Sequence, residues 1–135
     1  MNVEEHLLEQ TQELLNSIAK GDWETYCRLC SKDLTCFEPE AVGNLIHGLD
    51  FHKFYFDIAQ AKDPENPEEA VQTTIASPFV RVSGSSAIVC YLRVIQKGNP
   101  PQTFAFEETR IWECQEDNTW KHVHFHRSGP QTWNV

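Results

Sequence analysis

No stretch of this chain approaches the roughly twenty consecutive apolar residues that a bilayer-spanning helix needs, and the polar start M-N-V-E-E-H lacks the features of a secretory signal. Basic residues are scarce: eleven Lys and Arg stand against twenty Asp and Glu, a formal charge of -9. They form no Lys-rich or Arg-rich stripe, so the electrostatic footprint of a nucleic-acid binder is missing. The cysteines, Cys27, Cys30, Cys36, Cys90 and Cys114, are odd in number and supply no paired framework, which fits a reducing compartment. The C-x-x-C at Cys27 and Cys30 has no second C-x-x-C and no strand-then-helix setting. It reads as small buried hydrophobes rather than redox or zinc chemistry. These absences together lead us to expect a soluble cytoplasmic protein with neither a membrane nor a nucleic-acid partner.

What is present fits one domain over 1–135, since a chain of 135 residues buries roughly two thirds of its unfolded surface. Leu7, Leu8, Thr11, Leu14, Leu15 and Ile18 recur at helical spacing, opened by Glu4 and Glu5 and stopped by Lys20-Gly21. Asp22 is placed to cap a second, shorter helix, and L-T-C-F after it has strand character. A third helix is expected after Gly48, capped by Asp50, with Phe51, Phe54, Tyr55 and Ile58 on the face laid against a sheet. The acidic, Pro-rich segment 61–69 reads as a solvated loop. From Val71 onward the pattern becomes strands: V-Q-T-T-I-A-S, F-V-R-V-S, A-I-V-C-Y-L-R-V-I-Q, Q-T-F-A-F-E-E-T-R-I-W-E and T-W-K-H-V-H-F-H-R-S. Helices followed by an antiparallel meander predict an α+β fold.

Three of the five arginines, Arg93, Arg110 and Arg127, lie on three successive strand segments at intervals of seventeen. Burying a guanidinium without an acidic partner or ligand costs several kcal/mol, roughly, so each needs one or the other. Alternation puts Val89, Tyr91, Arg93 and Ile95 on one face, and separates Val123, Phe125 and Arg127 from His122, His124 and His126. Glu38, Glu107, Glu108 and Glu113 are enough to neutralise the arginines internally. A structural ion-pair network and an anion site both stand open on this reading.

The segments F-E-P-E-A-V-G-N-L-I-H-G-L-D-F-H-K-F-Y-F, E-E-T-R-I-W and H-V-H-F-H-R-S-G resemble the association (hub) domain of calcium/calmodulin-dependent protein kinase II, in order and spacing, from about Glu9 to Gly129. The resemblance implies a cone-shaped fold of the nuclear-transport-factor-2-like type, a long helix lying in a strongly curved antiparallel sheet. It implies self-assembly into closed rings that stack in pairs and gather any attached kinase. It also implies a cavity lined by Arg93, Arg110 and Arg127, with His52 as a donor at its edge and Glu38 as an internal partner, where acidic peptide segments or small carboxylates dock. Lys53 stands where animal relatives usually carry Arg, the 61–69 loop is more acidic, and the K-G-N-P-P hairpin is shorter.

The run H-V-H-F-H invites a metal reading. Alternate strand residues lie roughly 6.5–7 Å apart, too far for three nitrogens to converge on an ion about 2 Å from each. No metal or cofactor is therefore expected. An isomerase or dehydratase of the same fold is the alternative function, with His52, Glu38 or Asp50 as base. Three arginines would hold an anion, but none can act as a base at neutral pH.

Overall fold

The computed structural model describes residues 1–61, 63, 65, 66 and 69–129; positions 62, 64, 67 and 68 of the expected acidic loop lie outside the described residues. Helix α1 spans Val3–Lys20, opened by a capping box between Asn2 and Glu5 and closed by Gly21 in the left-handed region. Its buried stripe is Leu7, Thr11, Leu14 and Leu15, joined by Ser17. The Thr11 and Ser17 hydroxyls donate to the carbonyls of Leu7 and Leu14, which makes them tolerable inside the core. Asp22 caps α2 (Trp23–Leu29), which runs directly into β1 (Cys30–Phe37).

A 3₁₀ turn at Pro39–Ala41 and a two-residue strand β2 (Ile46–His47) follow, then α3 (Asp50–Gln60). Strands β3 (Val71–Ser83), β4 (Ser86–Lys97), β5 (Gln102–Cys114) and β6 (Trp120–Arg127) make the meander. The sheet order is β2-β1-β6-β5-β4-β3. All neighbours are antiparallel except β1 and β6, whose parallel pairing ties the N-terminal half to the end of the meander. The core lies between the helices and the sheet: Leu7, Leu14 and Leu15 meet Tyr26, Leu34, Val89, Trp112 and Phe125.

Three local expectations are corrected. The runs on either side of Ser77-Pro78 form one strand, β3, with a bulge between Ala76 and Phe79 and Ser77 at φ 50. A proline without an N–H is tolerated there because β3 is an edge strand. Helix α3 begins at Asp50 itself, with Leu49 as N-cap and no side-chain cap. Its buried residues are His52 and Phe56, while Phe51, Phe54, Tyr55 and Ile58 are exposed by 37, 65, 41 and 48%. The tertiary partners decide this rotation. Phe56 packs on Trp23 and Tyr26 at 5.1 and 4.7 Å, and His52 meets polar groups at the end of β1.

The third correction concerns β6. Ile111 pairs with His124 but Trp112 pairs with His122, so Val123 is an extra residue and strict alternation fails. His122 turns into the core beside Phe125, fully buried, while His126 is exposed. The three histidines do not share one face. On β4, by contrast, Val89, Tyr91, Arg93 and Ile95 are all buried, as alternation requires.

Gly21 carries a close approach between elements. At φ +71, a Cβ there would lie 2.8 Å from the backbone nitrogen of Gln60, whose side chain already donates to the Gly21 carbonyl. Gly84, at φ +59, has nothing within 4 Å of such a Cβ. Gly84→Ala should lower unfolding free energy by about 1 kcal/mol, the cost of a left-handed residue. Gly21→Ala should lose about 1–3 kcal/mol more through overpacking. Denaturant midpoints of the two variants check the order; equal losses would show that α1 and α3 do not meet tightly at Gly21.

Candidate functional site

The sheet and α3 enclose a cavity of about 290 Å³ whose lining includes Arg93, Arg110, Arg127, His52 and Glu38. All five residues singled out in the sequence therefore come together. Arg93 projects from β4, Arg110 from β5 and Arg127 from the end of β6, adjacent strands that pair Val89 with Arg110 and Glu108 with Arg127. His52 comes from the first turn of α3, and Glu38 from the extended residue leaving β1.

The three guanidiniums are not equivalent. Arg110 is 1% exposed and fully engaged: Nε donates to the Tyr91 hydroxyl at 2.7 Å and Nη2 to Glu108 Oε1 at 3.1 Å. Its guanidinium lies 4.4 Å from the Phe125 ring centroid, and Nη1 reaches His122 Nε2 at 3.4 Å. Because Arg110 can only donate, His122 must accept at Nε2 and carry its proton on Nδ1, 3.4 Å from Cys30 Sγ. Burial, and then the Arg110 charge, push the His122 pKa well below its ordinary value, so this imidazole stays neutral.

Arg93 shares the same carboxylate, Nη1 meeting Glu108 Oε2 at 3.1 Å, while its Nε is buried without a partner. Tyr91 donates its hydroxyl hydrogen to Glu108 Oε1. Burial alone would raise the Glu108 carboxyl, but Arg110 first and Arg93 second outweigh it and hold the group at about 2. Arg127 lies nearer the surface. Both oxygens of Glu40 accept from its Nη2, Glu38 Oε2 stands 3.8 Å away, and its guanidinium covers Phe106 at 5.0 Å. Burial raises the Glu40 pKa, but the hydrogen bond from Arg127 reverses this and leaves it below its ordinary value.

On the other wall, His52 Nε2 lies 3.1 Å from Glu38 Oε1 and 3.7 Å from Cys36 Sγ. Burial, followed by the nearby Glu38 charge, pushes the Cys36 thiol up to about 12, so with no cation beside it the group is protonated at neutral pH. Of the four glutamates available from sequence, Glu108 and Glu38 enter the network, whereas Glu107 and Glu113 are exposed and do not line the cavity. Glu40 and Lys97, both lining it, were missed. Glu40 is the last residue of the F-E-P-E motif, where E-P-E signals a turn, but nothing local to it shows that the turn carries its carboxylate to Arg127.

Residues 3–131 match the family described as the calcium/calmodulin dependent protein kinase II association domain. The chain belongs to this family. It is 40% identical over 132 residues to the delta subunit of rabbit calcium/calmodulin-dependent protein kinase type II, covering 95% of this chain and 24% of that protein. The chain thus spans about a quarter of this relative. Among solved structures, the kinase II hub homology domain of Chlamydomonas reinhardtii superposes with a TM-score of 0.84 at 48% identity, over 94% of this chain and 98% of that one. The association domain of the C. elegans kinase gives 0.81 at 40% identity, over 93 and 95%. An NTF2-like protein from Cytophaga hutchinsonii, 17% identical with a TM-score of 0.75 over 96 and 99%, shares the fold alone. The α+β, NTF2-like architecture expected from sequence is the one found. As an association domain the chain is non-catalytic, and the match over 3–131 leaves no room within it for a kinase domain. The isomerase alternative falls with that membership.

Glu108 gives the site a pH signature. Its folded pKa, about 2, lies below its ordinary value of 4.5. The associated stability is therefore present above pH 4.5 and disappears as pH falls through 2, and by linkage it amounts to about 3 kcal/mol. Glu108→Gln should remove that acid-limb dependence and destabilise the fold at pH 7 by about 3–5 kcal/mol, because two buried guanidiniums lose their counter-charge. Unfolding curves between pH 2 and 7 measure both effects; an unchanged acid limb in the variant would assign the dependence to other carboxylates.

Proposed function

We propose that this domain is a homo-oligomerisation hub, assembling copies of itself, with any kinase domains attached to them, into a closed ring that stacks on a second ring. Membership of the association-domain family carries the proposal. Exposed apolar side chains on α3 support it: Phe54 and Ile58 lie about half or more in solvent in the isolated chain. Large clustered apolar groups left outward mark an interaction surface. Gathering subunits raises the local concentration of whatever they carry, so tethered kinases would meet without new contacts of their own. Native mass spectrometry or light scattering at micromolar concentration should give a large, discrete multiple of 15.6 kDa. A stable monomer would overturn the proposal. Phe54→Asp should shift the population toward smaller species with the fold intact by circular dichroism.

We further infer that the cavity takes an acidic peptide segment or small carboxylate. The observation favouring this is the unequal use of the arginines: Arg110 is fully engaged, Arg93 holds an unpartnered buried Nε, and Arg127 is paired with a Glu40 side chain that is 40% exposed. A ligand carboxylate can displace Glu40 from Arg127 by exchange. Charge-assisted hydrogen bonds contribute about 1.5–3 kcal/mol, so Arg127→Gln should weaken capture of a short acidic peptide roughly tenfold or more. Glu40→Gln should tighten it by removing the internal competitor. Isothermal titration at two salt concentrations checks both variants, and identical affinities across the three proteins would rule the cavity out.

A further inference from the structure

The contacts of His52 are unlike those of a proton relay. In a relay the thiol and the carboxylate sit on opposite ring nitrogens, so that one orients the imidazole while the other exchanges a proton with it. Here Cys36 Sγ, at 3.7 Å, and Glu38 Oε1, at 3.1 Å, both face Nε2, while Nδ1 has no partner. One donor atom from each of the three residues lies within 4.8 Å of the others. Three different donors converging on one point is the arrangement of a metal-ligand set.

The spacings fit a definite class of ion. With zinc bonds of about 2.3 Å to sulfur and about 2.0–2.1 Å to nitrogen or oxygen, a tetrahedral centre puts ligand nitrogen and oxygen about 3.4 Å apart and sulfur and nitrogen about 3.6 Å apart. The observed 3.1 and 3.7 Å need shifts of only a few tenths of an ångström, and the remaining pair, Cys36 sulfur and a Glu38 oxygen, lies within 4.8 Å and would close toward about 3.6 Å on binding. Thiolate, imidazole and carboxylate together suit zinc or cobalt rather than the oxygen-seeking magnesium or calcium. The objection that excluded the β6 histidines does not apply. Glu38 and Cys36 are also alternate residues of one extended segment, but the glutamate side chain is two bonds longer than the cysteine's and can lean back, and the third donor comes from a separate element, α3.

Charge is compatible as well. Arg110 and Arg127 are the nearest cations, and each is held by another carboxylate, Glu108 and Glu40 respectively. A divalent ion facing Glu38 and a Cys36 thiolate would leave the trio neutral, the thiol proton passing to solvent.

We propose that Cys36, Glu38 and His52 bind a divalent cation of the zinc class, with a fourth position open to the cavity. Glu38 and His52 line that cavity, so water or an incoming carboxylate can complete the tetrahedron. Drawing Glu38 onto the ion would also take it away from Arg127, 3.8 Å distant, leaving that guanidinium to Glu40 alone. The site stands on its own donors and does not depend on the carboxylate reading of the cavity.

Titrating the chelator-stripped native assembly with Co(II) tests this. The expected result is one Co(II) per chain, with tetrahedral visible absorption and a thiolate-to-cobalt band in the near ultraviolet, both lost on adding Zn(II). Cys36→Ser should abolish the near-ultraviolet band. Glu38→Gln and His52→Gln, which keep the thiol, should each weaken binding at least tenfold, and they carry the test if Cys36→Ser does not fold. Absence of saturable uptake at micromolar Co(II) overturns the proposal. So does a band that persists in Cys36→Ser, or unchanged affinity in the other two variants.

Discussion

Glu108 is withdrawn from water on β5, and everything around it answers the need to neutralise a carboxylate in that position. Arg93 approaches it from β4 and Arg110 from two residues along β5 itself, and Tyr91 of β4 donates to it. None of the four could be buried alone without a large desolvation cost, yet together they satisfy most of one another's hydrogen-bonding capacity. The curved sheet is what makes this possible, because β4 and β5 set Tyr91 directly opposite Glu108 in register. His122 and Cys30 extend the same chain of polar contacts to β6 and β1. The network thus reaches across the strands that form the floor of the cavity.

Two electrostatic layers follow from that floor. The inner layer is closed: one carboxylate, two guanidiniums, a tyrosine and a neutral imidazole, almost wholly buried. The outer layer is looser. Arg127 is held by Glu40, on a 3₁₀ turn with solvent beside it, and Glu38 sits between Arg127 and His52. The cavity opens where the layers meet, lined by aromatic faces from Tyr26, Phe106 and Phe125. One carboxylate against two guanidiniums leaves the inner layer positive, and Arg127 against Glu38 and Glu40 leaves the outer group negative, so the two layers balance each other across the cavity.

The faces left outward are as informative as those turned in. Rotation of α3 toward His52 and Phe56 leaves Phe51, Phe54, Tyr55 and Ile58 partly exposed, Phe54 most of all. A helix with apolar residues on both sides reads as ambiguous by periodicity, and the inward face was assigned wrongly for that reason. Under the self-assembly proposed above, both faces of the helix serve as interior.

Much of the architecture was legible in the residues: the Lys20-Gly21 stop of α1, the Asp22 cap of α2, the strand meander, and the buried face of β4 all follow from local chemistry and period. The family motifs located the five cavity residues, and the structure brings all five to one space. What the sequence could not supply were the departures from regular period. The extra residue at Val123 turns His122 inward and breaks the set of three histidines; the bulge at Ser77 makes one strand of two runs; the turn after Pro39 brings Glu40 to Arg127. The two bulges are displacements of one residue, invisible to an average over many positions, and the turn is a short 3₁₀ reversal; each changes which side chain faces which. The sequence by itself determined that three guanidiniums had to be neutralised inside an α+β fold. The partners were set by the tertiary structure, because ion pairing depends on distances of a few ångströms between segments as much as eighty-nine residues apart.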